Sequence, residues 1–161
     1  MSEMSRSVHS VKFSRYLPDT PTVLTTKNTY DDWQLIPSEK PNIKMPEVKT
    51  AYVELPGVDG NIDLTETLAG RVLYGMRSGN LTFYVDGWST RSNWYTLTSE
   101  IANFLHGQQV RLVLEDDPNW FFIGRVSIDE IQTSEYYNRI VLAYNLRPYK
   151  YSVSDSTVTS L

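Results

Sequence analysis

Two histidines, His9 and His106, are the only imidazoles in the chain, and it contains no cysteine. Without thiols, disulfides, zinc–thiolate centres and cysteine nucleophiles are excluded. His9 lies in a polar N-terminal segment. His106 closes a helical pattern, where a partial positive charge is favoured, so capping or packing is its expected role rather than catalysis. Asp59-Gly60-Asn61-Ile62-Asp63 places oxygen donors at alternate positions, as a calcium loop begins. That loop also needs glycine at its sixth position and glutamate at its twelfth, where Leu64 and Gly70 stand instead. Gly87-Trp88-Ser89-Thr90-Arg91 lacks the closing glycine that lets a nucleophile elbow turn sharply. Neither a phosphate-cradling P-loop nor the dinucleotide glycine pattern occurs. A carboxylate pair of the glycosidase kind cannot be singled out by spacing alone. No catalytic, cofactor-binding or metal-binding residue is assigned, and the chain reads as no enzyme.

The remaining chemistry is aromatic: four Trp, eleven Tyr and five Phe. Trp33, Trp88, Tyr136, Tyr149 and Tyr151 fall in or beside presumed loops, where large amphipathic rings either meet partners or sugars or close the ends of a β core. Fifteen Lys and Arg against nineteen Asp and Glu leave a net charge of −4, which argues against gripping nucleic acid through its phosphates. The longest apolar runs, 120–123 and 140–144, fall far short of the roughly 20 residues of a membrane span. Met1 to Val8 lacks the apolar stretch of a secretion signal.

The elements that must position these residues follow from pattern. The 161 residues suit one domain. Residues 1–47 hold Pro18, Pro21, Pro37, Pro41 and Pro46, so neither a helix nor a central strand is expected there. This part reads as an extended arm with edge strands near Val23–Thr26 and Gln34–Ile36. Residues 48–151 form the expected core. Val48–Leu55 alternates as one strand and ends at the turn Pro56-Gly57-Val58-Asp59-Gly60. Leu81–Val85 is a short strand closed by Asp86-Gly87. Trp94, Leu97, Ile101, Phe104 and Leu105 lay an apolar stripe along a helix over 94–105. Asn93 or Ser92 would cap it, and Gly107 would end it. Gln109–Glu115 and Trp120–Ile128 make a hairpin around Asp116-Asp117-Pro118-Asn119, and Tyr137–Leu146 adds a strand. Residues 152–161 read as a flexible, Ser/Thr-rich tail. The fold class is mainly β with one helix. Apolar residues on both faces of 120–123 imply that the second face is covered too.

Several segments, taken in order, resemble the distal tail proteins of long-tailed bacteriophages. They are Tyr30-Asp31-Asp32-Trp33-Gln34-Leu35-Ile36-Pro37, then Lys49–Thr65 with its strand, Pro56-Gly57 turn and Asp59-Gly60 stretch. Ile101–Gly107 with its closing His106-Gly107 follows. Leu114–Pro118 with Phe122–Val126, and Arg147-Pro148-Tyr149-Lys150, complete the likeness over about residues 30–151. Many members continue into a second, often sugar-binding-like domain, whereas this chain stops ten residues after Tyr151 and so resembles a minimal, ring-forming version.

The resemblance implies a β-sandwich or split barrel akin to tail-tube proteins, assembled as a homo-hexameric ring. That ring would join the tail tube protein to the tail hub or tail-associated lysin. The tape measure protein and peripheral adhesion proteins are further implied partners. DNA would pass through the channel without specific binding, with no cofactor and no membrane. The protein would be made in the host bacterial cytoplasm and reside at the phage tail tip. Structurally decisive positions would be Asp32, Trp33, Pro56, Gly57, Gly60, His106, Gly107, Pro148 and Tyr149. A neutral or negative pore is expected, with Glu115-Asp116-Asp117 as one contributor, and the N-terminal arm is expected to become ordered on assembly. Tail-tube and tail-completion proteins remain alternatives. A small carbohydrate-binding module or a cell-wall hydrolase would be readings from other classes.

Overall fold

A computed structural model describes residues 8–67, 69–85, 93–134 and 136–161. The Asp86-Gly87 turn, the Gly87–Arg91 segment with Trp88, and the alternative cap Ser92 lie outside them. Thirteen strands and one helix follow one another among the described residues: β1 (Val11–Leu17), β2 (Thr20–Asn28), β3 (Leu35–Pro37), β4 (Val48–Lys49), β5 (Tyr52–Glu54), β6 (Asn61–Asp63), β7 (Leu73–Tyr74), β8 (Arg77–Val85), α1 (Trp94–Leu105), β9 (Gln108–Leu114), β10 (Asp117–Thr133), β11 (Asn138–Leu146), β12 (Lys150–Ser152) and β13 (Thr159–Ser160).

The main sheet is antiparallel in the order β2-β1-β9-β10-β11-β8-β3, and β12 with β13 pairs onto the start of β10. It curls into a half-barrel around α1, so the described residues are mostly β with one helix, in the split-barrel form. The long strand β10 makes this possible by pairing with β12 at Trp120 and Phe121, with β9 at 122–126 and with β11 at 124–133. Gly124 lies where the chains crowd most. A Cβ there would collide with the Asn145 carbonyl and sit 2.6 Å from Leu146 Cα.

Period-2 alternation fills the concave side with Val110, Leu112 and Leu114 from β9, Phe122 and Val126 from β10, and Ile140, Leu142, Tyr144 and Leu146 from β11. The helix buries the stripe the sequence announced, with Thr98 added. Burial of each large apolar side chain contributes about 1.5–3 kcal/mol. Asn93 stands at the N-cap without a side-chain capping bond. At the other end the His106 N–H donates to the Ala102 carbonyl, and Gly107 turns left-handed at φ 73°.

The N-terminal expectation needs correction. β1 is an interior strand between β2 and β9, with Val11 and Phe13 fully buried. No proline lies within it, and the prolines that follow occupy edges: Pro21 in β2 and Pro37 at the end of β3. Residues 48–55 form two short strands rather than one, and neither face is buried. The tail expected to be flexible folds back as β12 and β13, with Ser152 N–H donating to the Val158 carbonyl at 3.0 Å.

Candidate assembly surface

Residues 47–75 leave the sheet as a two-stranded extension. At its root Val48 pairs with Tyr74 and Lys49 with Leu73, while Gly75 N–H donates to the Glu47 carbonyl at 2.7 Å. Beyond a break, Tyr52 pairs with Asp63, Val53 with Ile62 and Glu54 with Asn61. Pro56, Gly57 and Gly60 form the tip. Both glycines have positive φ (81° and 73°), which a side chain resists, and both are exposed. All six residues of β5 and β6 are exposed, including Tyr52 at 58% and Ile62 at 43%, and Val58 at the tip reaches 58%. A run of apolar side chains that its own domain leaves uncovered is the mark of a contact surface.

The extension is also acidic. Between Thr50 and Thr67 it carries Glu54, Asp59, Asp63 and Glu66 and no Lys or Arg. Asp63 accepts from the Thr65 N–H at 2.9 Å and from the Thr65 hydroxyl. These bonds to the charged form hold its pKa below the ordinary aspartate value.

The root is firmly held. Tyr149 packs edge-on against Tyr74 at 6.0 Å and accepts a hydrogen bond from Arg71. The neighbouring Pro148 carbonyl accepts from Arg77 Nε at 2.9 Å, and Arg77 Nη1 donates to the Lys44 carbonyl at 3.1 Å. Arg77 is buried, with its guanidinium over the Phe122 ring, and burial lowers its pKa. It ties the segment before the hairpin, strand β8 and the turn after β11 together. The sequence reading missed Arg77. Extending the alternation of Leu81 and Phe83 back through Gly79 places it on the inward face, which was the available signal.

The other expected positions divide between turns and core. Asp32 Oδ2 accepts from the Asn28 N–H at 2.7 Å and so shapes the 28–32 turn. Trp33, expected beside a loop, is buried at 1% exposure, 6.5 Å from Phe13 and 6.0 Å from Phe104 between ring centroids. His106 accepts from the Ile128 N–H through Nδ1, so its ring fastens the helix end to β10. Glu115 and Asp116 of the β9–β10 turn and Asp117 at the start of β10 are all engaged within the chain. Glu115 accepts from Ser10, Asp116 pairs with His9 at 2.8 Å and Asp117 with Lys150 at 3.0 Å. The structure does not bring the nine expected positions into one cluster. Pro56, Gly57 and Gly60 share the hairpin tip, Pro148 and Tyr149 lie at its root, and the other four shape the core.

The convex side of the sheet differs in character. Lys12, Arg111, Arg125 and Arg147 stand there beside Tyr16, Leu24 and Ile123, and no acidic residue occupies this face across β1, β9 and the 121–127 part of β10. A groove of about 330 Å³ lies on it, lined by Tyr16, Leu24, Gln109, Arg111, Ile123 and Arg147 among others. Phe121, on the second apolar face of 120–123 that the sequence implied to be covered, is buried beneath Tyr151 of β12, stacked at 5.5 Å, with Arg111 5.1 Å from its ring centroid. Among the described residues no group of three or more His, Cys, Asp or Glu is placed to hold a metal ion, and no helix is long and apolar enough to cross a membrane.

No protein-family model and no curated protein matches the chain. Among solved structures it is similar to the crystal structure of the SPP1 Dit (gp 19.1) protein, described as a paradigm of the hub adsorption apparatus in phages that infect Gram-positive bacteria. The TM-score is 0.60 at 16% identity, over 78% of this chain and 49% of that one. The likeness is one of fold, and the chain spans about half the length of that protein.

Proposed function

We propose that the chain is a structural protein of a bacteriophage tail: a distal tail adaptor whose copies form a ring of six around the DNA exit channel. The ring joins the tail tube to the tail hub or tail-associated lysin at the tail tip, and no residue is catalytic. One observation carries the reading: on a fold like that of a phage hub protein, the hairpin β5–β6 displays apolar side chains that its own domain does not cover. A heterologous contact of this kind closes into a ring when the rotation between copies allows it.

Edge-to-edge strand addition fits less well as the ring contact. Edge strand β2 offers nine residues, but the opposite edge β3 offers three and ends in Pro37, which has no N–H to donate. A sugar-binding reading is weakened as well. Trp33 and Trp94 are buried, and Trp120 is half-buried with the Lys150 ammonium 5.3 Å from its ring centroid.

Mass measurement on the purified protein across a concentration series, joined to antibody labelling of phage particles, tests the proposal. A closed six-subunit species and label confined to the tail tip are expected. A protein that stays monomeric at high concentration and is missing from particles overturns it.

A further inference from the structure

The hairpin β5–β6 and the convex face of the sheet have opposite charge and matching apolar content. The hairpin carries Glu54, Asp59, Asp63 and Glu66 around Tyr52, Leu55, Val58 and Ile62. The convex face carries Lys12, Arg111, Arg125 and Arg147 around Tyr16, Leu24 and Ile123, with a groove at its centre. We infer that these two surfaces are the halves of one interface: the hairpin of one copy lies across the convex face of the next, its tip residues Leu55 and Val58 in the groove. The inference rests on the ring reading above and names the surfaces that make the ring.

Three features favour a second copy as the occupant. The chain supplies both complementary halves, so each copy offers one and needs the other, which is the condition for head-to-tail closure. An uncovered basic face would attract polyanions such as DNA, whereas covering it with an acidic hairpin removes that attraction. The apolar tip also gains burial that its own domain does not provide. Charge complementarity fixes partner and register, while the buried apolar residues supply most of the affinity.

Charge reversal in both halves tests the pairing. One variant carries Glu54→Lys with Asp59→Lys, and a second carries Lys12→Glu with Arg147→Glu. All four side chains are exposed, and circular dichroism and thermal melting confirm that each variant folds. Each variant alone is expected to self-associate at least about tenfold more weakly than the unaltered protein. An equimolar mixture is expected to recover assembly, because the unaltered acidic hairpin meets the unaltered basic face at one contact and the introduced lysines face the introduced glutamates at the next. Raised salt is expected to weaken assembly of the unaltered protein. Variants that assemble alone as well as the unaltered protein overturn the pairing and leave the ring standing. Loss in each without recovery on mixing also overturns it. An unaltered protein that never assembles removes the ring reading, and this inference with it.

Discussion

Two antiparallel hairpins of this protein begin from the same local chemistry and end in opposite places. Both β5–β6 and β9–β10 alternate apolar and polar residues around a short turn, with Pro56 inside the first turn and Pro118 just after the second, in β10. The β9–β10 hairpin buries Val110, Leu112, Leu114, Phe122 and Val126, and its end is fastened by the hydrogen bond of Asp116 to His9 and the ion pair of Asp117 with Lys150. The β5–β6 hairpin buries nothing, and its turn is held by its own glycines. Alternation therefore specifies a strand without specifying what covers it. The difference lies in what precedes each hairpin. Helix α1 runs directly into β9 and covers its inward face, while β5 follows a proline-flanked segment that leads off the sheet.

The comparison is most severely tested at Trp33, which sits in the proline-rich part of the chain yet belongs with the buried set. Trp33→Ala removes its ring contacts with Phe13 and Phe104, and a loss of about 3–5 kcal/mol is expected in urea unfolding. A loss as small as that of a surface substitution would detach Trp33 from the core. Next in size is Gly124→Ala in β10. Its Cβ meets backbone rather than a movable side chain, so about 1–3 kcal/mol of destabilisation is expected in the same assay. An alanine tolerated without loss would show that the sheet can relax where β9, β10 and β11 cross.

The converse holds for the exposed hairpin. The double substitution Tyr52→Ser with Ile62→Ser is expected to leave unfolding stability within about 0.5 kcal/mol of the original, because no packing is lost. Self-association measured by analytical ultracentrifugation is expected to fall sharply. A stability loss matching that of Gly124→Ala would mean that the hairpin packs on its own domain.

The helix and the strands of the core were legible because 3.6 and 2 residue periods persist over many residues. Trp94 to Leu105, and Ile140 to Leu146, carry the pattern without interruption. β1 was not legible because its signal is brief: Val11 and Phe13 alone mark the inward face, beside a neighbourhood dominated by prolines. The turns at Gly57, Gly60 and Gly107 could be read because positive φ restricts residue type so strongly. The exposed state of β5–β6 was not, since burial depends on distant chain that local alternation does not contain. Arg77 was missed for a related reason. Its buried charge is tolerated through the carbonyls of Lys44 and Pro148, 33 and 71 residues away in sequence.

The smallest expected effect sharpens the comparison by chemistry instead of packing. Asp63 in β6 and Asp155 before β13 each accept hydrogen bonds from a threonine two residues on, and in both the pKa is held below the ordinary value of 3.8. A carboxylate whose folded-state pKa is depressed stabilises its turn above the unfolded value and loses that contribution as pH falls through the folded one. Acidification below 3.8 should therefore loosen both turns. The Thr157 turn is braced by β12, which pairs with β10, whereas the Thr65 turn lies in a hairpin that its domain leaves uncovered. Amide-exchange protection, corrected for intrinsic rates, is expected to drop at Thr65 before Thr157, while Leu112 in the core stays protected. Asp63→Asn should reproduce the Thr65 change at neutral pH, since an amide oxygen is a weaker acceptor than a carboxylate. Equal protection of Thr65 and Leu112 throughout the acid range would show that the exposed hairpin is as firmly held as the core, and the contrast between the two hairpins would then reduce to solvent contact alone.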